Sequence, residues 1–224
     1  MDIGSPTIKT TTKREKKTLR VPIGELIKSI PGMFGIRLEE QPAYDVVARY
    51  PGVEIRRYQP LVMAQVEVDG AHEDALNRGF EILASYIFGD NVGGSQISMT
   101  APVINENPTQ MVIEESAPRE NQKAVWKVSF VLPAKIDAAT APTPLDSRIR
   151  IKKMPARVMA AVRFSGRNDD ATRATALAKL NAWLKESGVR PYPPVIWAQY
   201  DQPFSVPALR RNEVMIEVDT PSFS

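Results

Sequence analysis

VEIRRYQPLVMAQVEVDG, residues 53–70, and IRIKKMPARVMAAVRFSG, residues 149–166, are two versions of one pattern. Aligned without a gap at an offset of 96, they share Ile55/Ile151, Val62/Val158, Met63/Met159, Ala64/Ala160, Val66/Val162 and Gly70/Gly166. The basic pair Arg56-Arg57 faces Lys152-Lys153. In each copy a proline, Pro60 or Pro155, separates two β-rich runs, and a glycine ends the second before a helical pattern. Period-two alternation puts Val62, Ala64, Val66 and Val68 on one strand face and Met63, Gln65 and Glu67 on the other. The second copy sets Val158, Ala160, Val162 and Phe164 against Met159, Ala161 and Arg163. We read an internal duplication of a strand–bend–strand–helix unit. It predicts one pseudo-two-fold domain with Val62, Val66, Val158 and Val162 in a common core. Each second strand begins apolar on both faces, so one face meets the following helix and the other a closed or nearly closed barrel interior. Met63 and Met159 either fill that interior or face a ligand.

At 224 residues with 43% apolar content, the chain can build one full-sized core, and the duplication favours one domain over two. With no cysteine there are no disulfides, thiolate haem ligands, iron–sulfur clusters or Cys zinc sites. The single histidine, His72, rules out a His-rich metal site and leaves little room for a His-dependent triad. Nor does a nucleophile elbow, phosphate-cradling glycine loop or paired-carboxylate pattern stand out, so the enzyme reading is weak. The net charge of +3 is uneven: residues 1–20 carry +4, which leaves −1 for the rest. That basic start reads as a flexible tail, able to touch polyanions weakly. No stretch is long and apolar enough for a membrane span, and the chain reads as soluble and cytoplasmic.

In chain order, residues 21–42 form an N-terminal extension, with a short helix over about 23–29, and 43–49 a strand. A helix follows over roughly 71–88. Leu76, Phe80, Leu83 and Ile87 make one stripe on it, and Ala75, Gly79, Ile82 and Tyr86 the next. So wide an apolar sector suits a helix that packs on the sheet and also walls a ligand cleft. It equally suits a helix covered by a loop. ISMTA (97–101) reads as a strand reaching a sheet edge at Pro102, 105–124 as a loop, and WKVSFVLP (126–133) as a strand. Residues 134–147 connect the halves, about 43–133 and 148–219. Asn168 or Asp169 caps a second helix, through about 186, which Gly188 stops. Strands in RPYPPVIWAQYDQP and EVMIEVD (213–219) close the domain, so each half is strand, strand, helix, strand, strand.

GMFGIRLEEQPAYDVV, VEIRRYQP, ISMTAPV and YDQPFSVPALRRNEVMIEV, in this order and spacing, resemble the SOUL haem-binding protein family. MTAPV (99–103) and RRNEV (210–214) are the more specific pieces, and the match covers about 33–219. The resemblance implies an α+β fold, a distorted eight-stranded antiparallel barrel with two helices in two pseudo-symmetric halves. The architecture is also similar to GyrI-like effector-binding domains, some credited with hydrolysis, which bind small molecules between the halves. The family resemblance implies reversible haem or porphyrin binding in an apolar groove beside the first helix and the loop before the last strand. Carried over here, the groove residues are Leu76, Phe80, Leu83, Ala84 and Ile87, with Phe204, Val206 and Leu209 opposite. Some members carry an axial His just before the Tyr of the first repeat, where this chain has Arg57. Some pair the propionates with a basic residue on the first helix, where this chain has Asn77. His72, at the start of that helix, is the one imidazole that could ligate iron. Its position in a first turn reads more readily as solvent-exposed.

Overall fold

The computed structural model describes residues 39–107, 125–201 and 205–219. The basic tail, the helix expected over 23–29 and Phe204 lie outside them. Nine strands and two α-helices follow the expected order: β1 (Tyr44–Tyr50), β2 (Val53–Tyr58), β3 (Leu61–Asp69), α1 (His72–Ile87), β4 (Val103–Glu106), β5 (Val125–Val131), β6 (Arg150–Met154), β7 (Arg157–Phe164), α2 (Asp170–Ser187), β8 (Pro191–Gln199) and β9 (Asn212–Val218). The strands form one antiparallel sheet in the order β1-β2-β7-β9-β8-β4-β5-β3-β6. This corrects the expected eight-stranded barrel. Nine strands are paired among the described residues, the one expected over 43–49 included, and the hydrogen-bonded order has two ends instead of closing on itself.

Two of the strand pairs share a register at the 96-residue offset. β2 pairs with β7 from Glu54↔Ala161 to Tyr58↔Arg157, and β3 pairs with β6 from Gln65↔Arg150 to Leu61↔Met154. Moving each partner of the first set to its counterpart 96 positions away reproduces the second. β4 and β8, which meet with Asn105 opposite Trp197, lie at the middle of that arrangement. The strand expected over 97–101 begins only after Pro102. Proline cannot donate to a ladder but can precede one, so Val103–Glu106 becomes a central strand and not an edge.

Alternation along β3 and β7 is as expected, but the faces serve different clusters. Val62, Ala64 and Val66 pack with Leu83, Ala84 and Ile87 beneath α1. Val158, Ala160 and Val162 pack with Ala176, Leu180 and Leu184 beneath α2. The common core predicted for the valines is therefore two separate cores, because each helix covers only its own half. The residues that meet across the halves are the opposite-face ones: Met63, Met159, Ala161, Ile104, Ile196, Ala198 and Met215, with Tyr58 and Tyr200. Met63 and Met159 are core fillers.

Both helix ends are chemically specified. Asp169 accepts from the Thr172 N–H at 2.9 Å, and Gly188 takes the left-handed conformation (φ 66°) that ends α2. Within α1, Gly79 stands where a glycine costs up to about 1 kcal/mol relative to alanine. Close approach explains it: a Cβ there would lie 2.6 Å from Val128 Cγ2 on β5. Gly79→Ala should therefore destabilise by about 1–2 kcal/mol, overpacking outweighing the gain in helix propensity. Urea unfolding checks this, and a stabilised variant would mean that α1 can lift off the sheet freely.

Candidate functional site

Three places on this framework are large enough or polar enough to consider. The first is the seam between the halves. Glu213, fully buried on β9, accepts from Arg56 Nη1 at 2.6 Å and Nη2 at 3.0 Å. It also accepts from Arg211 Nε at 2.9 Å and from the Tyr200 hydroxyl at 3.0 Å. Arg56 lies over the Tyr44 ring at 4.6 Å and also meets Glu54. Burial alone would raise the Glu213 carboxyl, but the two guanidiniums hold it below its ordinary value. For Arg56 burial opposes the charge, and Glu213 outweighs it, so its pKa is raised. Burial, with Glu213 beside them, raises the phenols of Tyr58 and Tyr200. Residues 40–44 strap across this seam. Ala101 N–H donates to the Glu40 carbonyl, Arg211 Nη1 to Gln41 Oε1, and Tyr44 packs on Tyr58 with ring centres 5.0 Å apart. The cavity left, bounded by Tyr58, Leu61, Ile104, Met159, Tyr200 and Met215 among others, measures about 20 Å³. That is room for about one water and not for a macrocycle.

The second place is an open groove of about 530 Å³ on one flank of α1, lined by Glu81, Ile82, Ser85, Tyr86, Asp90, Leu145, Asp146, Arg148 and Ile149. The connector between the halves forms its far wall, and the Tyr86 hydroxyl donates to the Pro142 carbonyl. The adjoining stripe of the helix is thus partly loop-covered. Three carboxylates stand here against one guanidinium, which is itself held by Asp146 at 2.6 Å. A dianionic porphyrin is poorly matched to that charge.

The third is the furrow between the helices. α1 lies over β3 and β5, α2 over β7 and β9, and the β4–β8 pair runs between them. The flank of α1 that carries Leu76 and Phe80 borders it. Both are half-buried, and Phe80 meets Phe130 edge-on with ring centres 5.2 Å apart. Phe130 stands opposite Val103, and Val103 opposite Gln199. Beyond Gln199 the chain reaches the 3-10 turn Pro207–Leu209, where Val206 and Leu209 are exposed. Of the groove residues expected from sequence, Leu76 and Phe80 thus offer surface. Leu83, Ala84 and Ile87, at most 2% exposed, sit below them in the core.

The furrow's other end is closed by His72. The imidazole is half-buried and not solvent-exposed, the simpler of the two sequence readings. Its Nε2 lies 3.1 Å from Asn105 Oδ1, its Nδ1 meets Arg173 Nη1 of α2, and its ring packs on Trp126 at 4.4 Å. Burial first, then Arg173, lowers its pKa, so the ring is neutral at pH 7. A guanidinium can only donate, so Nδ1 accepts and Nε2 carries the proton. Both nitrogens are engaged, which leaves no lone pair for iron. Nothing in the sequence pointed to Arg173 or Asn105, because their pairing with His72 spans 101 and 33 residues. Among the described residues, no group of three His, Cys, Asp or Glu could hold a metal ion, and no helix is long and apolar enough to cross a membrane.

A family model described as "SOUL heme-binding protein" matches residues 39–217. The chain belongs to this family. No curated protein matches the SOUL chain's sequence. Among solved structures it is similar to the EcmrR C-terminal domain, at 12% identity and a TM-score of 0.54, over 80% of this chain and 99% of that one. It is also similar to an uncharacterized conserved protein from Listeria innocua, at 10% identity and a TM-score of 0.55, over 77% and 94% of the two chains. A third neighbour, titled a hydrolase from Listeria innocua, has a TM-score of 0.51 at 10% identity over 77% and 94%. At these identities the likeness is one of fold alone.

Proposed function

We propose that the chain binds haem or another porphyrin non-covalently, as a carrier, buffer or sensor, in the furrow between α1 and α2. Leu76 and Phe80 form one wall, backed from the core by Leu83, Ala84 and Ile87. Val206 and Leu209 form the other. The carrying observation is that Leu76 and Phe80 on α1 are only half-buried and Val206 and Leu209 are exposed, while the seam between the halves is filled. Family membership supports the same ligand class. When bound, a haem would supply its own iron chemistry, and the protein's part is apolar burial of the macrocycle. We also read the halves as pseudo-two-fold copies of one unit, supported by the register that the two strand pairs share.

Haemin titration of the apo-protein should give a saturable Soret shift, and metal-free protoporphyrin should bind nearly as well. His72→Ala should leave the haemin spectrum unchanged, since both imidazole nitrogens already have partners. Absence of any Soret change would sink the reading. A six-coordinate spectrum lost in His72→Ala would instead make His72 an iron ligand.

A further inference from the structure

Two buried N–H groups at the closed end of the furrow have no acceptor. Asn105 is 0% exposed and its Nδ2 is unpartnered, and Trp126 is 7% exposed and its Nε1 is unpartnered. The His72 tautomer fixes the first: Nε2–H must donate to Oδ1, so Nδ2 is left over whichever way the amide is drawn. Both side chains touch the same imidazole, so both orphan donors belong to residues packed on His72. The Arg173 guanidinium lies over the rings of Trp126, at 5.9 Å, and Trp197, at 5.5 Å. His72 is also the first residue of α1, whose N-cap Ala71 offers no side-chain acceptor, so the positive end of the helix adds to the same field. Every unmet group here is a donor, and the nearest full charge is a cation. The carboxylates near this end, Asp170 on Arg173 and Glu73 and Asp74 in the first turn of α1, are exposed and turned to solvent.

We propose that this cluster anchors a carboxylate of the bound ligand. Asn105 Nδ2–H and Trp126 Nε1–H donate to its oxygens, and Arg173 from α2 is its counter-ion. The choice of ligand rests on the porphyrin reading: the macrocycle covers Leu76 and Phe80, and one acidic side chain reaches past His72. The anchor would thus come from the second half of the chain and not from the first helix, where Asn77 stands.

Dissociation constants for protoporphyrin and for its dimethyl ester, measured on wild type, Trp126→Phe and Arg173→Gln, test this. Wild type should prefer the free acid by about tenfold or more, the scale of one charge-assisted hydrogen bond. Both variants should lose most of that preference and keep their affinity for the ester. Trp126→Phe should still unfold cooperatively, because the unsatisfied donor it deletes offsets part of the volume lost with the pyrrole ring. Equal binding of acid and ester by wild type would overturn the anchor and leave the porphyrin reading standing. So would variants that weaken acid and ester alike. If neither porphyrin binds, the porphyrin reading fails by itself, and acetate decides the anchor. The indole N–H resonance missing in Trp126→Phe should shift saturably with acetate in wild type and not in Arg173→Gln. No shift would overturn it.

Discussion

Arg56→Met should cost about 3–5 kcal/mol of folding stability. The change strands Glu213, which is fully buried and keeps only Arg211 as a charged partner. Glu213→Gln should cost less, since a neutral amide can still meet part of the network. Arg56→Met with Glu213→Leu should recover much of the loss, because removing both charges removes the desolvation cost with them. The pH dependence has a definite sign. The folded Glu213 carboxyl sits below its ordinary value of 4.5, so its contribution is complete above that value and is lost as pH falls towards the folded pKa. Urea midpoints for wild type and Arg56→Met should therefore converge in acid. A single-variant loss under about 1 kcal/mol at neutral pH would mean that the pair is not holding buried charge.

This network shows where the sequence stops being readable. Arg56-Arg57 and Lys152-Lys153 look equivalent in the repeat, yet Arg56 is buried while Lys152 is exposed. The difference is Glu213, 157 residues from Arg56, and the repeat carries no mark of it. RRNEV, one of the two motifs that carried the family resemblance, turns out to supply Arg211 and Glu213. Through those two residues it holds the seam between the halves, while its Arg210 donates to the Ser205 carbonyl in the turn that carries Val206 and Leu209.

Local chemistry was readable wherever it set local structure. Asp169 and Gly188 bound α2, the glycine after each repeat precedes a helix, and strand alternation sorted helix-side from seam-side residues correctly. What alternation could not supply was which helix covers which face, so four valines placed in one core belong to two. Pro102 was read as ending a strand when it precedes one, which hid the central strand. On α1 the apolar stripe was right in composition but mixed core with surface. Leu83 and Ile87 follow Leu76 and Phe80 at helical spacing, and only the sheet beneath shows that the first pair is sealed in.

Phe80→Asp should weaken porphyrin binding about a hundredfold or more, some 3 kcal/mol, by placing an unpaired carboxylate against the macrocycle. Phe80 is the residue to change because it is half-buried, with one side on Phe130 and the other on the furrow. Leu83→Glu, which the sequence would rank as its equal, puts the charge in the α1 core and should unfold the protein instead. The two variants therefore separate groove from core. Phe80→Asp should keep a cooperative unfolding transition and lose the Soret titration, whereas Leu83→Glu should lose both. Leu209→Asp, on the exposed opposite wall, should keep full stability and weaken binding in the same direction. If Phe80→Asp and Leu209→Asp both fold and bind haemin as wild type does, the porphyrin does not lie in the furrow.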